Sequence, residues 1–105
     1  MNKRRRKELE QLMSEFEQVC SDVNEAVEKL EELKENIECI KEEEEEAYDN
    51  LPESLQESEK GESMQAAIDY MVSAIDAADI VGANLDEAIQ GFEDVYSAIQ
   101  DAASC

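Results

Sequence analysis

The residues with the most evident chemical character are carboxylates. Glu42, Glu43, Glu44, Glu45 and Glu46 follow one another without interruption, and Asp49 stands three residues further on. Hard divalent cations favour such oxygens but need ligands that converge, as in an Asp-x-Asp-x-Asp-Gly loop. Five successive helical residues fan around the axis, so the run predicts a solvated anionic face rather than a metal site. Carboxylates also act as general acids and bases where a pocket perturbs them, and nothing in the sequence encloses these. The three cysteines, Cys20, Cys39 and Cys105, have no histidine to activate them, because the chain contains none. A thiol nucleophile depends on such a neighbour, and a serine–histidine triad or an imidazole metal ligand is excluded. An odd cysteine count without Cys-x-x-Cys spacing predicts reduced thiols in a cytoplasm. The expectation is a protein that is not an enzyme, with no cofactor and no metal.

Charge sets the next bound. The 105 residues include 29 acids and 9 bases, a net charge of −20. Five of the bases lie together as Lys3, Arg4, Arg5, Arg6 and Lys7, so the rest of the chain opposes 29 acids with four bases. Such a body repels DNA, RNA and anionic lipid, and it favours proteins with basic surfaces. Uncharged stretches such as Tyr70–Ile75 run six residues, whereas a membrane span needs about twenty. No apolar segment follows the basic start, so it does not read as a secretory signal. The cluster itself is expected to pair with glutamates or with the acidic body of a second copy, or to fray, rather than to contact phosphate or import machinery.

The elements that must carry these charges are legible from apolar periodicity. Leu9, Phe16, Val23, Leu30 and Ile37 recur every seven residues. So do Leu12, Val19, Ala26, Leu33, Ile40 and Ala47, three places later. Those two columns read as the a and d positions of a heptad, with Met13, Cys20 and Val27 as an additional apolar edge that gives way to Lys34 and Lys41. No glycine or proline interrupts residues 5–48, which predicts one helix of about 65 Å. The second array has Ile68, Ile75, Gly82, Ile89, Tyr96 and Ala103 in one column and Met64, Met71, Ala78, Leu85, Phe92 and Ile99 in the next. A third column, Ala67, Ala74, Val81, Ala88, Val95 and Ala102, is nearly all small. Gly82 falls on the seam; Gly91 lies outside it.

Residues 49–62 are expected to form the hinge. Pro52 ends the first helix and suits the first turn of a short new one, with Ser54 and Glu57 at capping-box spacing. Gly61 is read as the second break, before a helix over about 63–103. The fold class is therefore all-α: a long antiparallel two-helix hairpin in a single domain over residues 1–105. A two-stranded seam uses two columns per helix, and each helix here offers three. The surplus (Met13, Cys20 and Val27 on one helix, the alanine–valine edge on the other) predicts a homodimer that closes a four-helix bundle, with a hairpin that turns the same face to a different protein as the alternative.

Charge density then suggests a role. Apart from its five N-terminal bases, such a hairpin would carry one net charge per roughly 2.6 Å of axis, against about 1.7 Å for duplex DNA. Asp79, Asp86 and Glu93 form one seven-spaced column on the second helix, and Glu87, Asp94 and Asp101 form another beside it. The segment Glu42–Ala78, with its acidic run and the hinge residues Asp49, Asn50, Leu51, Pro52, Ser54, Leu55, Gln56, Ser58 and Gly61, resembles small acidic proteins of phages, prophages and mobile elements of Gram-positive bacteria. The resemblance covers about a third of the chain. It implies a bacterial host cytoplasm and, by analogy, an inhibitor of host defence such as an anti-CRISPR or anti-restriction protein. The leading expectation is thus a binding protein that mimics nucleic acid on a basic surface. Glu42, Glu43, Glu44, Glu45, Glu46 and Asp49 would act at the hinge, and Asp79, Asp86, Glu87, Glu93 and Asp94 along the second helix. The alternative is a structural or assembly module in which the apolar columns make the contact. A sponge for nucleotide signals would need the five N-terminal bases around its pocket.

Overall fold

The computed structural model describes all 105 residues as three helices and no strand: α1 (Lys3–Asp49), α2 (Glu53–Gln56) and α3 (Glu59–Ala103). The chain is a helical hairpin, in which α1 and α3 pack antiparallel. Two compact units make it up, one formed by Met1–Lys29 with Gly82–Cys105 and the other by Leu30–Val81. In the first, Arg6 meets Ala103 and Glu17 meets Tyr96; in the second, Lys34 meets Asp79.

α1 starts where Asn2 accepts a hydrogen bond from the Arg5 amide at 2.8 Å, filling one of the unpaired donors of a first turn. It runs uninterrupted for 47 residues because nothing in the sequence removes a backbone donor or loosens a turn. The chain leaves it through bonds from the Asn50 amide to the Glu46 carbonyl (3.0 Å) and from the Leu51 amide to the Tyr48 carbonyl (3.0 Å). Pro52 occupies the N-cap of α2 rather than its first turn, and no side chain caps that helix. The expected Ser54–Glu57 capping box does not form, because Ser54 already lies inside α2. The Gln56 amide closes the turn instead, donating to the Tyr48 carbonyl at 3.0 Å and the Leu51 carbonyl at 3.3 Å.

Gly61 does not break the chain. α3 begins at Glu59, and Gly61 is buried in its first turn. A Cβ there would fall onto the Gln56 carbonyl oxygen and within 2.6 Å of Gln56 Cα. Glycine is required because backbone approaches backbone. The residue that reads as a helix breaker is the one that lets α3 start four residues early.

The seam on α1 also differs from the expected pair of columns. The half-buried residues are Leu9, Phe16, Val23, Leu30, Ile37 and Glu44, together with Arg6, Met13, Cys20, Val27, Lys34, Lys41 and Tyr48, and with Glu38 and Glu45 beside them. Met13, Cys20 and Val27 are therefore seam residues, not a surplus edge. The Leu12 column, taken as half of the seam, is exposed throughout: Leu33 is 48% and Ile40 56% accessible. Three adjacent apolar columns leave two ways of choosing a seam. α3 settles on the Met13 side, where Lys34 lays its stem along the seam and its head group reaches an acid. On α3 the seam is the expected one, the Ile68 and Met71 columns, and the Ala67 column stays exposed apart from Ala102. Burial is slight everywhere: Ile68, at 6%, is the one buried hydrophobic residue.

Candidate functional site

The acids flank the seam on one side and cover the backs of the helices. In the first unit Glu17 and Glu93 border an open cleft of about 380 Å³, lined also by Phe16, Cys20, Phe92, Tyr96 and Ser97. The Tyr96 hydroxyl donates to the Glu17 carboxylate, and that hydrogen bond, more than burial, raises the phenol's pKa above its usual value. Glu93 accepts a hydrogen bond from the Gln90 amide at 3.1 Å. Asp86, Glu87 and Asp94 are exposed. Of the expected site residues, these four lie in the first unit.

The second unit holds the other seven. Asp79 is not a free anion: its Oδ1 lies 2.8 Å from Lys34 Nζ, and Glu31 Oε1 approaches the same ammonium at 3.1 Å. With the lysine side chain only 17% exposed, the hydrogen bond to Asp79 first and that to Glu31 second push its pKa far up. In the acidic run, Glu42, Glu43 and Glu46 are exposed, whereas Glu44 and Glu45 are half-buried. Glu45 Oε1 sits 3.3 Å from Lys41 Nζ, an i, i+4 pair. The run fans around the helix as expected, and no group of three or more His, Cys, Asp or Glu could hold a metal ion. Asp49 closes α1 and is exposed. Glu45, Glu46 and Asp49 occupy a last turn with no basic residue, against the helix dipole.

The structure therefore does not converge the eleven residues on one point. It leaves nine of them exposed and Glu44 and Glu45 half-buried, with Asp79 and Glu45 engaged in ion pairs. Sevenfold spacing gave the outward placement of Asp79, Asp86, Glu87, Glu93 and Asp94; the pairing of Asp79 needed Lys34 to be placed in the seam, which the α1 columns alone do not decide.

The basic start is tied down locally. Arg6 Nε donates to the Ala103 carbonyl at 2.9 Å, a cation on the negative end of α3. Arg4 and Glu8 are 4.0 Å apart on the exposed surface, a pair of slight energetic worth. The N-terminal ammonium reaches the Cys105 carbonyl at 3.4 Å. The capping by Arg6 has a sequence signal only in hindsight, a base at the far end of the partner helix.

Opposite the acidic flank the surface changes character. On α3 the exposed Ala67, Ala74, Val81, Ala88 and Val95 are joined by a neighbouring exposed column: Ser63, Tyr70, Ala77, Asn84, Gly91 and Ala98. With Ala102 these make twelve residues and not one charge, although every acid of α3 lies elsewhere on the same helix.

No family model matches the chain, and neither a curated protein nor a solved structure shows significant similarity to it. No helix is long and apolar enough to cross a membrane.

Proposed function

We propose that this chain is a binding protein without catalytic activity, which occupies a basic, nucleic-acid-binding surface on another protein by setting carboxylates where phosphates would lie. The observation that carries this reading is the outward display of acids on α3: Asp86, Glu87, Glu93 and Asp94 are all exposed, and the helix from Ser63 onward has no base to neutralise them. The exposed Glu42, Glu43, Glu46 and Asp49 extend the same character to the second unit. Ion pairing with Lys34 and Lys41 removes Asp79 and Glu45 from the first rank of contacts. The hinge resemblance adds the biological setting, a phage-borne inhibitor in a bacterial host, with a CRISPR effector or restriction-type complex as its first candidate target.

The test is affinity capture by the full chain from a bacterial lysate, eluted with a sodium chloride gradient and separately with duplex DNA. A captured nucleic-acid-binding protein released by DNA and by moderate salt supports the reading, since exposed charge contacts are screened by salt. Capture that survives about 1 M salt, where the screening length is about 3 Å, contradicts it. Replacing Glu43 and the neighbouring Glu42 and Glu46 by lysine is expected to remove binding with helicity unchanged.

A second reading, an assembly module of a phage particle or mobile element, is favoured by a different observation, the exposed apolar column Leu12, Val19, Leu33 and Ile40. Recovery of coat or tail components in the same experiment would select it.

A further inference from the structure

We infer that the cleft lined by Phe16 and Phe92 receives an arginine side chain of the partner protein. Who presents the arginine rests on the function proposed above, whereas the choice of a guanidinium comes from the cleft itself. Every residue that lines it belongs to one unit, Met1–Lys29 with Gly82–Cys105.

Three observations name the occupant. The first is where the aromatic rings lie. The chain has no tryptophan, two phenylalanines and three tyrosines, and both phenylalanines and Tyr96 line this one cleft. All three are half-buried, so part of each ring is shielded and part is open to a guest. An aromatic face attracts a cation laid over it, more strongly where water is partly excluded. The second is charge. Glu17 from α1 and Glu93 from α3 border the rings, both exposed, and no base lines the cleft. Glu17 accepts a hydrogen bond from the Tyr96 hydroxyl and Glu93 Oε2 accepts one from the Gln90 amide. An ionised carboxylate has about four acceptor sites, so each keeps places for a further donor. The third is size. At about 380 Å³ the cleft is near the lower end of ligand pockets, which suits one side chain and not a helix. A guanidinium is planar and weakly hydrated, and it stacks on a ring while its edges reach carboxylates; an ammonium has no plane to stack. Acidity alone does not single out this cleft. In the unit Leu30–Val81, Glu38, Glu42 and Asp76 border another of about 350 Å³, but Lys41 already lines it and no aromatic ring does.

The experiment is NMR of the aromatic rings in the full chain, with isotope-labelled phenylalanine and tyrosine. It is titrated with N-acetyl-arginine amide and, separately, with N-acetyl-lysine amide at constant ionic strength. The Phe16 and Phe92 signals are expected to move saturably with arginine, while those of Tyr48 and Tyr70, in the unit Leu30–Val81, stay in place. The lysine amide should bind several-fold more weakly, having no plane to stack. The variant Glu17→Gln/Glu93→Gln should bind the arginine amide about tenfold more weakly. The control Glu10→Gln/Glu25→Gln, which removes equal charge at exposed positions of the same unit, should match the wild type. No saturable movement up to about 50 mM, equal affinity for the two amides, or a cleft variant that binds like the control overturns the inference. If the cleft variant fails to fold, the wild type's discrimination between the two amides decides. The lysate capture judges the proposed function separately. A partner released by DNA, with rings that ignore arginine, keeps that function and removes this cleft from it. Rings that answer arginine, in a chain that captures no nucleic-acid-binding protein, keep the guanidinium site and remove that function.

Discussion

Of the three glycines of α3, Gly61 and Gly91 stand in opposite circumstances. Gly61 lies on the seam, buried, with the Gln56 backbone where its Cβ would be; Gly91 lies on the outer stripe, exposed, with nothing within 4 Å. The contrast separates what the chain closes by itself from what it leaves open. Its seam is completed within each unit by the other long helix, and in the unit Leu30–Val81 also by the turn at Pro52 and by ion pairs from Lys34. Its stripe is free of charge and uncovered. The acids of α3 occupy other positions, so charge and the uncharged stripe lie on different columns of the same helix.

Gly61→Ala should have the largest effect on this contrast. The added methyl collides with backbone rather than with a movable side chain, and overpacking of this kind costs about 3 kcal/mol, read as a lower urea midpoint for helix loss. Phe92→Ala probes the seam in the other unit, where Phe16 and Phe92 line the cleft beside Tyr96. Because both rings are only half-buried, the loss should be about 2 kcal/mol, below that of a fully enclosed phenylalanine. Gly91→Ala should act in the other direction. In dilute solution it is expected to stabilise the helix by about 0.5–1 kcal/mol, and a loss of stability there would mean that the outer face is already in close contact.

The smallest effect is alkaline. The pKa of Lys34 is raised from 10.5 by Asp79 and Glu31, and that of Tyr96 from 10.0 by Glu17. The protonated form of each is favoured in the folded chain. The stability they contribute is therefore complete below those ordinary values and lost as pH rises through the higher folded ones. Stability should be level from neutrality to about pH 9.5 and fall above pH 10. Tyr96→Phe should flatten part of that decline, and an unchanged profile would show that the Glu17 contact is not made.

Much of this was legible in the sequence. Heptad spacing alone predicts two long helices, and Pro52 marks the turn between them. The α3 seam could be read because Ile68 and Met71 head columns with no equal competitor. The α1 seam could not, since Leu12 and Met13 head apolar columns on either side of the Leu9 column and the lysines in the second disguise it. Periodicity records which residues avoid water, not which neighbour shields them. Gly61 misled for a related reason: loss of a side chain reads as helix breaking, whereas only tertiary contact shows a requirement for space. The acids of the second helix lie outward as their spacing implies, whereas Glu44 and Glu45 are half-buried, and which acid is paired with a lysine depended on the misassigned column.

The proposal that exposed carboxylates make the contact is tested most directly by the affinity of the purified chain for its captured partner, measured from about 0.05 to 1 M sodium chloride. Charges standing where phosphates would lie are screened by salt, so the affinity should fall steeply as salt rises. Binding that holds unchanged at about 1 M would put uncharged columns inside the contact and contradict the proposal.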